Sequence, residues 1–324
     1  MNLKKFLNSV AVASLWVMSI SVAAQDRDPI RLISGFAAGG TTDIICRVLA
    51  EHLSQELGQQ VIVDNKAGAG GRIGAEFLKN AKPDGKTYLV APDGWAIFPT
   101  AMYSPTTLRY DLMKDLKPVA QLVGYPLALV VNSKVPARNL SDYADWLKKN
   151  PKLGQFATPA PGGQVQFVGW VVGETLGTPM VPVAYKGNAP LLTDLIGEQI
   201  PAAILVAGDA LRQPRDKVRV LGVMADARWN LAPEVPTFKE QGFDIKVDEA
   251  WQGMWANSAA PKAETDRMEE AVRKVLLKPE VQQAIVKLAM VTPKFVPGIK
   301  MESNLRRDID YWAKVIKASG YSPQ

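Results

Sequence analysis

The stretch SGFAAGGTTDIICRVLAEHL (34–53) sets a glycine pair, Gly39 and Gly40, directly before an amphipathic run. That is the sequence form of an anion seat. The first turn of a helix leaves backbone N–H groups unpaired and carries the positive end of the helix dipole. Glycine adds no Cβ to keep the anion away. TPAPGGQVQFVGW (158–170) repeats the arrangement with Gly162 and Gly163. Two such helix starts facing each other would hold a molecule with an acid group at each end.

Groups able to transform a ligand, rather than hold it, are scarce. His52 is the single histidine and Cys46 the single cysteine. Both fall mid-helix, six positions apart, so they share no face at i,i+3 or i,i+4. Cys46, among Ile44, Ile45, Val48 and Leu49, reads as a buried thiol. There is no G-x-S-x-G elbow, H-E-x-x-H, C-x-x-C or P-loop. GAGGRIG (68–74) follows a strand and opens a helix as in dinucleotide-binding folds, and Asp93 stands at the spacing of a ribose-binding acid. The last glycine of that fingerprint, however, would fall at Ile73, and DNKA separates the strand from the first glycine. A nucleotide-dependent α/β enzyme is therefore the alternative from another class. The same residues also read as a tight connection or as a wall loop of the cleft. No catalytic residue, cofactor or metal is assigned.

The elements that must position the glycine pairs alternate strand and helix. PIRLIS, VIV (61–63) and TYLVA (87–91) read as strands; the helix that follows the FAAGGTT loop ends at Gly58, another helix covers about 73–81, and PDGW (92–95) reads as a turn. PVAQLVGYPLALVVN (118–132) reads as an extended crossing broken at Gly124, Tyr125 and Pro126. A second strand–helix series follows. EAWQGMWA (249–256) is the return crossing, and helices cover 262–277, 279–289 and about 300–318. The predicted architecture is two α/β lobes, each a mixed sheet flanked by helices with a ligand cleft between them. Residues 25–125 plus 250–324 form lobe one, and 126–249 form lobe two.

The start of the chain, MNLKK and the apolar run to Val22-Ala23-Ala24, reads as a signal peptide cleaved near Ala24. Its removal takes away Lys4 and Lys5 and no acid, lowering the formal charge from +6 to +4. That mild charge, without a Lys/Arg block, argues against nucleic acid and suits an anionic small ligand. An exported chain with one cysteine and no possible intrachain disulfide fits a bacterial periplasm. A monomer is expected.

The segments PIRLISGFAAGGTTD, VIVDNKAGAGGRIGAEFL, KPDGKTYLVA, VPVAYKGNAPLLTDLIGEQI and LAPEVPTFKEQGF, in this order along nearly the whole mature chain, resemble the periplasmic solute-binding proteins of tripartite tricarboxylate transporters, the TctC or Bug family. The resemblance implies a type II-like two-lobed binding protein that closes on an organic carboxylate and delivers it to membrane transporter subunits, without catalysis. A ligand-sensing partner of a signalling receptor would have the same fold. The family's first ligand loop corresponds to Phe36, Ala37, Ala38, Gly39, Gly40 and Thr41, with Asp43 ordering the loop. Its lobe-two loop corresponds to Thr158, Pro159, Gly162, Gly163 and Gln164.

This chain departs from the family in three places. Ala37 and Ala38 replace two prolines. ATPAPGGQ lacks the serines and histidine of many relatives. Leu205 or Val206 stands where many relatives carry an aspartate, with Asp209 slightly later, which argues against an amino-acid ligand. Asp93 and Trp95 in PDGW, and Asp209, complete the candidate site. Phe36, Trp95, Phe98, Trp170, Trp251 and Trp255 are candidate aromatic walls or core. An aromatic dicarboxylate is the expected ligand, with terephthalate the best single guess by analogy with relatives that serve aromatic-acid uptake. Citrate-like and aliphatic carboxylates are the alternative.

Overall fold

Eleven strands of a computed structural model, which describes residues 28–322 except Ala160, fall into two sheets. The signal peptide lies outside the described residues. The first sheet has the order β11-β4-β10-β3-β1-β2, and the second β7-β6-β8-β5-β9. In the first, β1 (Ile30–Ser34) lies parallel between β2 (Val61–Asn65) and β3 (Thr87–Pro92). The strand β10 (Ala250–Asn257) then runs antiparallel to both β3 and β4 (Leu116–Tyr125). In the second, β6 (Gln155–Thr158) lies parallel between β7 (Val181–Ala184) and β8 (Ala202–Val206), and β5 (Leu127–Asn132) runs antiparallel to β8 and β9 (Val218–Met224).

The two sheets repeat one plan. The order β2-β1-β3-β10-β4 matches β7-β6-β8-β5-β9 strand for strand, and β11 (Thr292–Pro297) is an added edge of the first. The strand that completes each copy comes from the far side of a crossing. The chain leaves the first sheet through β4 into β5, interrupted only at Pro126, which has no N–H to offer a ladder. It returns after β9 through residues 225–249 into β10. The two inner strands are buried along their length, β5 entirely, as expected where helices cover both faces.

Local signals fix the helices. Helix Thr41–Leu57 ends at Gly58 in the left-handed conformation (φ 62°), and Asn139 caps helix Leu140–Lys149 by accepting from the Asp142 N–H at 2.8 Å. PDGW is not a turn: Asp93 is the first residue of helix Asp93–Met102, which follows β3 directly. A short helix, Ala207–Leu211, follows β8 in the same way. The strand β11 is an element that the sequence does not announce, because its two prolines argue against a strand; it survives at the sheet edge, where a proline costs no ladder bond on its outer side.

Packing around the second glycine helix is tight enough to test. A Cβ on Gly169, in helix Gln164–Leu176, would lie 2.1 Å from ring carbons of the fully buried Phe156. Gly169→Ala is expected to destabilise the protein by about 1–3 kcal/mol through overpacking. Denaturant melting reads this directly, and an unchanged midpoint would show that the Phe156 ring has room to move.

Candidate functional site

Both glycine pairs end the strand that lies between two parallel neighbours, β1 in one sheet and β6 in the other. In open α/β sheets the carboxyl ends of such strands are where ligands bind. The two pairs share one backbone form. Gly39 (φ 83°) and Gly162 (φ 68°) are left-handed, and each precedes an extended glycine N-cap, Gly40 (φ −79°, ψ 169°) and Gly163 (φ −88°, ψ 170°). Neither helix start has a side-chain cap. Apart from the Gln166 N–H, which donates to the Gly163 carbonyl at 3.1 Å, their first-turn donors are left to a ligand or to water.

Each pair is also held by the same latch. The Gly39 N–H donates to Asp43 Oδ2 at 2.9 Å, and the Gly162 N–H donates to Gln166 Oε1 at 2.9 Å. In both, the residue four positions on pins the left-handed glycine and leaves the N-cap glycine facing outward. Asp43 is further tied to Arg47 Nε at 2.8 Å and to Asn65 Nδ2 at 2.9 Å, and Asn65 also donates to the Phe36 carbonyl. The Arg47 guanidinium, the Gly39 N–H and Asn65 hold the Asp43 carboxyl down to about 2. Asp43 is thus spent on ordering the loop and not on a ligand. Gln166 and Asn65 escape attention in the sequence, although Gln166 stands three residues after its glycine pair, as Asp43 does after its own.

The other candidate residues divide by place. Ala37, Ala38, Gly39 and Gly40 are exposed, and Phe36 and Thr41 half-buried. Thr158 and Gly162 are buried, and Pro159, Gly163, Gln164 and Asp209 half-buried. The first loop, the GAGG loop, the start of helix Asp93–Met102 and the lobe-two helix start converge. A Cβ on Gly71 would stand 3.4 Å from the Phe36 ring and 3.2 Å from Trp95 Cβ, and one on Gly94 would stand 3.5 Å from Gln164 Oε1. GAGG is a one-turn 3-10 helix over Ala69–Gly71 between a strand and helix Arg72–Asn80; its Gly71 packs against Phe36 and Trp95.

Trp95 is placed in the core. Its ring is 3% exposed and lies edge-on to Trp255 at 5.1 Å between centroids and 6.1 Å from Tyr110. Phe98 stacks on Phe167 at 5.5 Å across the two lobes and is likewise buried. Trp255 is fully buried. Trp95 is the third residue of a helix that packs back onto β10, not part of an open turn.

A cavity of about 980 Å³ opens beside this junction. Of the candidate residues, Asp93 and Gln164 line it, together with Trp251. Phe36, Ala38, Gly39, Gly40, Thr41, Trp95, Thr158, Pro159, Gly162, Gly163 and Asp209 do not. Its far side is built from the 225–249 crossing and the last helix, Gly298–Ala318, with mixed charge: Lys294 pairs with Glu249 at 2.8 Å and Arg307 with Asp308 at 2.8 Å.

Asp93 is the group whose chemistry the site changes most. It is 3% exposed, accepts from the Gly94 N–H at 2.9 Å and takes the Gln164 amide of the other lobe at 3.3 Å. Burial, and then the charge of Asp308, push its carboxyl up to about 7 against the pull of those donors and the Trp251 N–H. Burial also raises Asp209, which stands near the start of the helix after β8 as Asp93 does after β3. Among the described residues no cluster of His, Cys, Asp and Glu is arranged to hold a metal, and no helix is long and apolar enough to cross a membrane.

Comparison with known proteins agrees with this geometry. Residues 45–319 match the tripartite tricarboxylate transporter family receptor, TctC. The periplasmic binding protein BugD is similar in structure, at a TM-score of 0.77 and 28% identity over 92% of this chain and 99% of its own. Two Rhodopseudomonas palustris proteins are similar at 25% identity: MatC with bound malate (TM-score 0.73; 90% of this chain, 99% of its own) and Rpa4515 with adipate (TM-score 0.80; 93% and 100%). Members of this family are periplasmic binding receptors, not enzymes. The sheets, the paired glycine loops and these matches together place the chain in the tripartite tricarboxylate transporter receptor (TctC/Bug) family.

Proposed function

We propose that this chain captures a dicarboxylate in the periplasm between its two lobes and presents it to tripartite transporter subunits in the membrane. One carboxylate sits on the first-turn N–H groups after Gly40 and the other on those after Gly163. The observation that carries this reading is the duplicated glycine pair, with matching backbone angles and matching latches, at the ends of equivalent strands. The lobes are residues 28–125 with 250–322, and 126–249, and the crossings near 124–127 and 247–252 serve as hinges.

The choice among dicarboxylates follows from what lines the approach. Terephthalate needs flat aromatic walls, and Trp95, Phe98 and Trp255 are committed to the core. Phe36 remains half-buried beside the first loop and Trp251 lines the cavity, so an aromatic spacer has two candidate contacts. The neighbours that hold malate and adipate favour an open-chain spacer. A matched series separates these: adipate, malate, citrate, terephthalate, its ortho and meta isomers, and benzoate. Calorimetric titration is expected to rank open-chain dicarboxylates above terephthalate, and benzoate last because it leaves one seat empty. Tight terephthalate binding with no response to adipate or malate would restore the aromatic reading. Binding of benzoate as strong as that of any diacid would remove the two-seat model.

A further inference from the structure

Asp93 occupies the place where the lobes touch. Its helix belongs to the first sheet, and the Gln164 amide that reaches it is the first residue of the helix led by Gly163. The groups around it come from several elements. The last helix brings Asp308, whose charge Arg307 already engages at 2.8 Å. The strands β4 and β10 bring the buried Tyr125 and Gln252 side chains. Gln252 Oε1 itself is buried with no donor, on the β10 residue that pairs with Pro92, the residue before Asp93. The charges of Asp93 and Asp209 both act on Tyr125. Among the described residues no Lys or Arg forms an ion pair with Asp93.

A carboxylate seated after Gly163 lies within one residue of the side chain that touches Asp93. It brings a second negative charge beside a buried carboxyl that pairs with no Lys or Arg among the described residues. Two carboxylates in such a place do not both stay ionised. The seated anion keeps the backbone donors and the helix dipole, and Asp93 is left with the cost.

We propose that Asp93 takes up one proton from solvent when a dicarboxylate is captured, so that the protein binds a dianion and a proton together. The proposal rests on the reading of the glycine pairs as carboxylate seats. The proton turns Asp93 from an acceptor into a donor, one residue after the Pro92 that pairs with Gln252, whose buried amide oxygen lacks a donor. Capture then responds to pH even though the ligand itself is fully ionised throughout the neutral range.

The test is calorimetric titration of adipate into the full mature chain from pH 6 to pH 9, at each pH in buffers of different ionisation enthalpy. Malate and terephthalate serve as second probes. Because the free carboxyl is raised to about 7, affinity is expected to be level below that pH and to fall up to about tenfold per pH unit above it. Proton uptake at pH 8.5 should approach one per ligand. D93N should flatten the profile and abolish uptake, whatever its absolute affinity. D308N, which removes the neighbouring charge, should move the break to lower pH. Wild-type binding that is level from pH 6 to 9 with no uptake overturns this proposal alone. The same holds if D93N keeps the wild-type slope. Failure of every diacid to bind at pH 6 overturns the capture reading and this one with it.

Discussion

Replacing Gly40 or Gly163 with valine is expected to weaken dicarboxylate binding by about thirtyfold or more, while the protein stays folded. The loss corresponds to about 2 kcal/mol, the scale of charge-assisted hydrogen bonds to one carboxylate. These are the right two positions because their backbone is extended and suits any residue. A Cβ on Gly40 meets nothing closer than the Ala37 carbonyl oxygen at 3.4 Å. The neighbouring glycines would confuse the result. Gly39 and Gly162 hold positive φ, where a β-branched side chain is strained, and a Cβ on Gly162 would stand 2.7 Å from Tyr321 Oη. Calorimetry on both variants, with melting curves to confirm folding, gives the answer. Two variants that bind like the parent would mean that the helix starts are not the seats.

Gly208→Ala is expected to impair closure. Gly208 lies in helix Ala207–Leu211 of the second lobe, and a Cβ there would fall 2.4 Å from the Met290 carbonyl oxygen and 2.8 Å from Met290 Cβ, in the first. Main chain cannot step aside as a flexible side chain does, so the lobes themselves must shift. Two interlobe bonds nearby, Trp229 Nε1 to Thr292 Oγ1 at 2.8 Å and Arg212 to the Leu288 carbonyl at 3.1 Å, would be stretched by the same movement. The parent should show a smaller radius of gyration in small-angle scattering when saturated with its best diacid. The variant should contract less and bind about tenfold more weakly. Identical contraction and affinity would show that this contact takes no part in bringing the lobes together.

The order of elements was readable because the periodicity is strong. Helix Thr41–Leu57, with its run of Ile45, Leu49 and Leu53 and its terminal Gly58, and the crossing broken at Pro126 appear in the structure as the sequence implies. The glycine pairs were readable for the same reason: glycine at a helix start has few other uses. What stayed hidden depends on contacts between segments far apart in the chain. Nothing local marks Asp93 as the acid that meets Gln164, because those residues are brought together by the pairing of two lobes. Nothing local distinguishes Trp95 in a wall from Trp95 against Trp255, since both place an aromatic ring after a strand. The latch of Gln166 on Gly162 was within reach, and only its amide, where the first loop has an acid, disguised the repeat.

The burial of Cys46 has a practical side. The thiol is fully enclosed, and burial together with the charge of Asp43 holds it far above the ordinary thiol range, so no thiolate is present to react. Maleimide chemistry therefore sees a blank chain. Cysteines introduced at Val181, on the edge strand of the second sheet, and at Leu277, after helix Lys262–Leu276 of the first lobe, replace exposed residues and would be the only reactive thiols. A donor and an acceptor dye on that pair would follow single molecules through each opening and each capture, without first having to engineer out the native sulfur.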